Sequence, residues 1–289
     1  MKSGSEKTAS ILYASFSGNT RRVARVAQGI LSGLGWSAKL VNLRNFERGV
    51  HAIDADLIVL GVPVQYWDIP TSARIKIRRL PVFQETPAFV FTTFGRCVCN
   101  SVPWALAMEL ADKNCSVLGG AQIAAPHSAR VDGGPRLGDM EEAFGKGQPD
   151  SETLLDFREA LMTVATKVEE EQTRPIEIER LKALHTRGVT ADMMNRISSH
   201  RMRQGFMPWV EHLDVNCEGC HGCLNACDSG AISIDGTDTI VIDRNLCNRC
   251  YKCTEICRNS AMTTDWKRVV FWVRTVHLMA RDTTSRFVV

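Results

Sequence analysis

Long apolar runs are missing from this 289-residue chain. The opening MKSGSEKTAS has none of the 7 to 15 residue apolar stretch that an export signal requires. Late in the chain, VVFWV (Val269 to Val273) is cut by Arg274, far short of the roughly 20 residues that cross a bilayer. The expectation is therefore a cytoplasmic protein without a transmembrane segment. The loop after the first strand, SFSGNT, has no lysine, which excludes a P-loop, and it also lacks G-x-G-x-x-G. Aromatic residues are few, at 7%, and the net charge is only +3. No nucleic-acid partner is expected. What remains, 44% hydrophobic and 23% charged residues, is ordinary for a globular protein with a substantial core.

Near-continuous apolar strands alternate with helical patterns through the first half. Ile11 to Ala14 runs into the polar loop Ser15 to Thr20, and from Thr20 the positions Val23, Val26, Ala27, Ile30 and Leu34 recur at helical spacing. Further strands are expected at Ala38 to Leu43, Asp56 to Pro63, Ala88 to Gly95 and Cys115 to Ala124. Such alternation indicates a doubly wound, five-stranded parallel α/β sheet covered on both faces. A closing helix should start near Asp150 or Ser151, both plausible N-caps. Between them lies Pro126 to Ser151, a long polar segment of the kind that is functional or mobile. From Thr173 to Arg203 a basic helical arm is expected.

Cysteine is plentiful instead of scarce: eleven residues, eight of them between Cys217 and Cys257. In a reducing compartment clustered cysteines indicate metal or redox centres, not disulfides. CEGCHGCLNAC and CNRCYKCTEIC repeat C-x2-C-x2-C-x3-C at an offset of thirty residues, the bacterial ferredoxin run. In such pairs the fourth cysteine of each run ligates the other cluster. The expected sets are Cys217, Cys220, Cys223 with Cys257, and Cys247, Cys250, Cys253 with Cys227, each holding a [4Fe-4S] cluster. Structural zinc, the alternative, takes four ligands in paired knuckles, and eight cysteines overshoot that need. Asp228 and Arg258 stand where proline normally follows the fourth cysteine. His221 is expected to be a solvated loop residue, and Cys97, Cys99 and Cys115 ordinary free thiols. From Glu211 to Asp265, nine acidic face four basic residues, so the cysteine-rich part is acidic on an otherwise basic molecule.

SFSGNT offers hydroxyls and backbone N–H groups at the start of a helix, a phosphate seat. At the first strand of a doubly wound sheet, flavodoxin-like folds place FMN this way. Tyr66 and Trp67, after the third strand, sit where an aromatic could cover a flavin ring, and TTFG (Thr92 to Gly95) ends the fourth strand at the same edge. Trp67 and Phe94 as packed loop aromatics in a domain without flavin is the competing account.

These loops and the two cysteine runs together resemble the flavodoxin/bacterial-ferredoxin fusion family, over residues 8 to 125 and 206 to 265. The resemblance implies a flavodoxin-like FMN domain at 8–172, a connecting arm at 173–205, a small α+β ferredoxin-like domain with two [4Fe-4S] clusters at 206–265 and a basic tail at 266–289. It further implies that Ser15, Phe16, Ser17, Gly18, Asn19 and Thr20 surround the phosphate, and that the ring lies between the loops of Pro63, Tyr66, Trp67 and of Thr92, Thr93, Phe94, Gly95. The function implied is electron transfer between the clusters, FMN and protein partners, a donor and an acceptor, in an anaerobic setting. Two rivals stay open: a flavin-dependent reductase of a small substrate lidded by Pro126 to Ser151, and a docking or redox-sensing module with no flavin. The oligomeric state is left open.

Overall fold

The computed structural model describes residues 6–46, 53–97, 101–184, 205, 207–279 and 284–289. Five parallel strands, β1 (Thr8–Tyr13), β2 (Ser37–Asn42), β3 (Leu57–Pro63), β4 (Thr86–Phe94) and β5 (Cys115–Ala124), lie in the order β2-β1-β3-β4-β5. This is the flavodoxin-like doubly wound order, which reverses between β1 and β3. Strand alternation sends successive side chains to opposite faces. Leu57 and Val59 pack with α1 (Asn19–Gly33) residues, whereas Ile58 and Leu60 pack with those of α2 (Thr71–Arg78) and α3 (Val102–Ala111). α4 (Leu137–Met140) is a single turn, and α5 (Ser151–Glu169) is capped by Asp150, whose carboxylate accepts from Thr153 N–H at 2.9 Å. Past α5, Ile176 N–H donates to Val117 O, and Leu181 and Leu184 are buried beside α3. Residues 185–204 of the expected arm, Phe206 at the start of the expected ferredoxin-like domain, and Cys99 lie outside the described residues. Cys97 and Cys115 are buried free thiols.

The cysteine-rich segment is a duplicated unit. β6 (Glu211–His212), α6 (Gly222–Ala226), β7 (Ile232–Ile234), β8 (Ile240–Ile242), α7 (Lys252–Ile256) and β9 (Met262–Thr263) follow in order. β7 pairs with β8 and β6 with β9, so Ser233↔Val241 reappears thirty residues away as Glu211↔Thr263 with the two strands' roles exchanged. Each unit contributes one strand to each of the two antiparallel pairs. α6 and α7 both start after a left-handed residue, His221 at φ 54° and Tyr251 at φ 57°.

After this unit, α8 (Trp266–Met279) buries Trp266, Val269, Val273 and His277, and β10 (Arg286–Val288) pairs antiparallel with β5. The sheet therefore has six strands, one more than the sequence pattern indicated. A three-residue strand has no periodicity of its own, and only its partner β5 defines it. A third apolar core joins the parts: Leu137 and Phe144 from the Pro126 to Ser151 segment, Tyr251 and Met262 from the cysteine unit, and Val269 and Val273 from α8. That segment is thus packed as a wall instead of standing open. Among the described residues no helix is long and apolar enough to cross a membrane.

Gly61, in the centre of β3, admits no side chain, since a Cβ there would stand 2.1 Å from the Phe91 ring. Gly61→Ala is predicted to cost about 1–3 kcal/mol by overpacking. Gly29→Ala, in open space on α1, should be neutral or stabilising by up to about 1 kcal/mol. Denaturant midpoints of the two variants check the pair.

Candidate functional site

Electrostatic contacts sort the thiols into two groups. Burial raises the Cys223 thiol, and its thiol neighbours are Cys257 and Cys217. Burial pushes Cys250 up to about 12, with Cys227 and Cys247 nearby. Cys253 is raised further by burial, beside Cys250, Cys247 and Cys227. Thus Cys227 lies near Cys247, Cys250 and Cys253, and Cys257 and Cys217 lie near Cys223. Cys220, like Cys217, is exposed. Backbone N–H groups aim at the crossing sulfurs: Ala231 N–H donates to Cys227 Sγ at 3.2 Å and Met262 N–H to Cys257 Sγ at 3.3 Å. Among the described residues no three His, Cys, Asp or Glu side chains close tightly enough for a single ion.

Ser15 to Thr20 links β1 to α1, where Gly18 takes the left-handed conformation at φ 93° as N-cap. Ser15 Oγ accepts from Arg21 N–H at 3.2 Å. Asn19 Nδ2 donates to Pro126 O at 2.7 Å, and the buried Thr20 and Thr93 hydroxyls bond each other at 2.8 Å. The Asn19 and Thr20 side chains, expected at the phosphate, are thus engaged within the protein, and what they offer an anion is first-turn backbone N–H. Phe16, Ser17, Pro63, Tyr66, Trp67, Phe94 and Gly95 line one cavity of about 420 Å³ at the carboxyl edge of the sheet. Thr92 and Thr93 are buried in β4 behind it. The opposite wall comes from Cys250 and Tyr251 of the second cysteine run and from Trp272, Val273, Val276 and Met279 of α8.

The aromatic turn is a tight two-residue loop. Gln65 and Asp68 exchange both backbone hydrogen bonds at 3.0 Å, and the central Tyr66 and Trp67 have φ of 49° and 61°. Left-handed geometry costs bulky residues about 1–2 kcal/mol each. Tyr66 Oη donates to Arg249 O at 2.8 Å, and Gln65 Nε2 to Asn248 O at 3.1 Å, both carbonyls lying between Cys247 and Cys250. Gln65 Oε1 is buried with no hydrogen-bond partner.

Ion pairs clamp the two halves beside this cavity. Arg136 grips Glu255 through two bonds of 3.2 and 3.1 Å and also donates to Ser17 O at 3.1 Å, tying α7 to the phosphate loop. Asp228 meets Arg44 at 3.1 Å and Lys252 at 3.3 Å. His127 is a further cavity residue that sequence reasoning missed. Its ring packs where a Gly95 Cβ would stand, 2.5 Å from Cδ2, which accounts for glycine at that position. Ala129 N–H donates to His127 Nδ1 at 3.1 Å, which puts the ring proton on Nε2. No local pattern marks it; it is placed by the return of the chain after β5.

No family model matches the chain, and no curated protein matches it. Among solved structures it is similar to rubredoxin oxygen:oxidoreductase from Desulfovibrio gigas, with 15% identity and a TM-score of 0.45 over 57% of this chain and 37% of that one. A flavodoxin from the domain Archaea gives 15% identity and 0.41 over 56% and 99%. The flavodiiron protein of Giardia intestinalis gives 17% and 0.39 over 59% and 38%. The chain thus spans little more than a third of the two larger proteins. Likeness at this level carries no argument, and the fold stands on strand order.

Burial, with His277 adding repulsion, lowers His127 from 6.5 to about 4. The unfolded chain takes up this proton first, so stability should fall as pH drops from about 6.5 toward about 4. His127→Gln should flatten that part of the profile of unfolding free energy against pH. An unchanged slope in the variant would contradict the assignment.

Proposed function

We propose that the protein is an electron carrier in which two [4Fe-4S] clusters and one FMN form a chain of redox centres. One observation carries this reading: Cys250, from the second cysteine run, lines the same cavity as the expected flavin loops. The donor chemistry fits the groups. Thiolates are the ligands iron–sulfur clusters take, and the crossed 3+1 arrangement is that of two-cluster ferredoxins. Thiols raised by burial are protonated until metal arrives, so cluster assembly releases protons.

FMN, when bound, supplies two-electron storage beside the one-electron clusters. The chain's own residues do the rest. Ser15, Ser17 and the first-turn amides of α1 hold the phosphate. Tyr66, Trp67 and Phe94 exclude water from the ring. The first thiol group, with Cys217 and Cys220 exposed, is the outer terminus, and the second group is the inner one. Acidic side chains around the outer group, Asp214, Glu218 and Asp238, steer a protein partner with a basic face.

Anaerobically purified protein is predicted to contain about eight iron atoms, matching sulfide, and one FMN per chain. Iron near that figure with no flavin, even after addition of FMN, would instead favour a docking or sensing module. Zinc in place of iron would overturn the electron-carrier reading.

A further inference from the structure

We propose that Gln65 and Tyr66 are positioning residues that complete the flavin seat only when the second cysteine run is closed on its cluster. FMN affinity and assembly of the second cluster are then coupled. The proposal rests on the cofactor reading above and adds a linkage between the two groups.

The argument starts from where the aromatic turn finds its support. Its base is held within its own half: Asp68 takes two bonds from Arg74, at 2.7 and 3.2 Å. Its tip carries two large residues in left-handed backbone, a conformation that persists only where surrounding structure imposes it. The bonds shown at that tip cross to the other half of the molecule, from Tyr66 Oη to Arg249 O and from Gln65 Nε2 to Asn248 O.

Both acceptors are main-chain carbonyls in the two residues between Cys247 and Cys250. Their direction is set by how that short loop wraps its sulfurs. Arg249 is itself left-handed at φ 50°, its guanidinium lies 3.4 Å over the Trp209 ring, and Nη1 donates to Met207 O at 2.7 Å. The loop therefore presents its carbonyls in one fixed direction. Gln65 uses one end of its carboxamide on this loop, and Gln65 and Tyr66 both line the cavity. Closing the loop thus sets the Gln65 and Tyr66 wall of the cavity together. By linkage, FMN must favour the closed loop by the same factor.

Full-length protein titrated anaerobically with FMN, read by flavin fluorescence, tests this. Tyr66→Phe in cluster-loaded protein should weaken FMN by about fivefold or more. Cys247→Ala, at a thiol outside the cavity wall, should weaken it comparably, and adding Tyr66→Phe to that variant should cost little further. Equal FMN affinity with and without the second cluster overturns the linkage, as does an equal cost of Tyr66→Phe in both backgrounds. The reciprocal measurement needs no cysteine variant. FMN should slow iron loss to a chelator about fivefold in the wild type and not in Tyr66→Phe; equal loss rates overturn the proposal. Loaded wild-type protein that binds no FMN would overturn the cofactor reading itself, a distinct result.

Discussion

Two hydrogen bonds cross from Gln65 and Tyr66 in the turn after β3 to the carbonyls of Asn248 and Arg249, beside the cavity between the halves that Gln65, Tyr66 and Arg249 line. Each contributes only about 1 kcal/mol to stability. Their weight is geometric. They set an aromatic turn against a cysteine loop. Phe16 and Ser17 of the loop after β1, the Tyr66–Trp67 turn and the second cysteine run then face one space, and α8 closes it from the remaining side.

Charge holds this arrangement from the flanks. The cysteine-rich unit is acidic, and two of its acids are used structurally: Glu255 against Arg136 and Arg130, and Asp228 against Arg44 and Lys252. Asp228 occupies the position where a bacterial ferredoxin run has proline, and the departure has a physical reason. A proline there could not reach Arg44, and the cysteine unit would lose one of its anchors to the turn after β2. Acids at the far side, beside exposed Cys217 and Cys220, are left to face solvent and partners.

The legible parts of the molecule were those with local patterns. Apolar runs alternating with helical spacing specify the five parallel strands, because each strand is buried on both faces. The repeated spacing of the cysteine runs specifies a duplicated unit, and the exchanged strand pairs follow from it. The roles of Asn19 and Thr20 were not legible, because Pro126 O and Thr93 Oγ1, their partners, are about 107 and 73 residues away. β10 was hidden for a similar reason, being defined by Gly120 to Gln122 opposite it. α8 was readable: Trp266, Val269, Val273 and His277 recur at helical spacing. Gln65 and His127 carry no motif, and only the folded return of the chain brings them to the cavity.

The central claim is that the inner thiol group and the flavin seat share one chamber within a single chain. Anaerobic stopped-flow reduction of the clusters, followed at the flavin absorbance over a range of protein concentrations, tests it most directly. The account predicts a first-order rate of flavin reduction that does not change with protein concentration. A rate that rises in proportion to concentration, with electrons passing only between molecules, would contradict it.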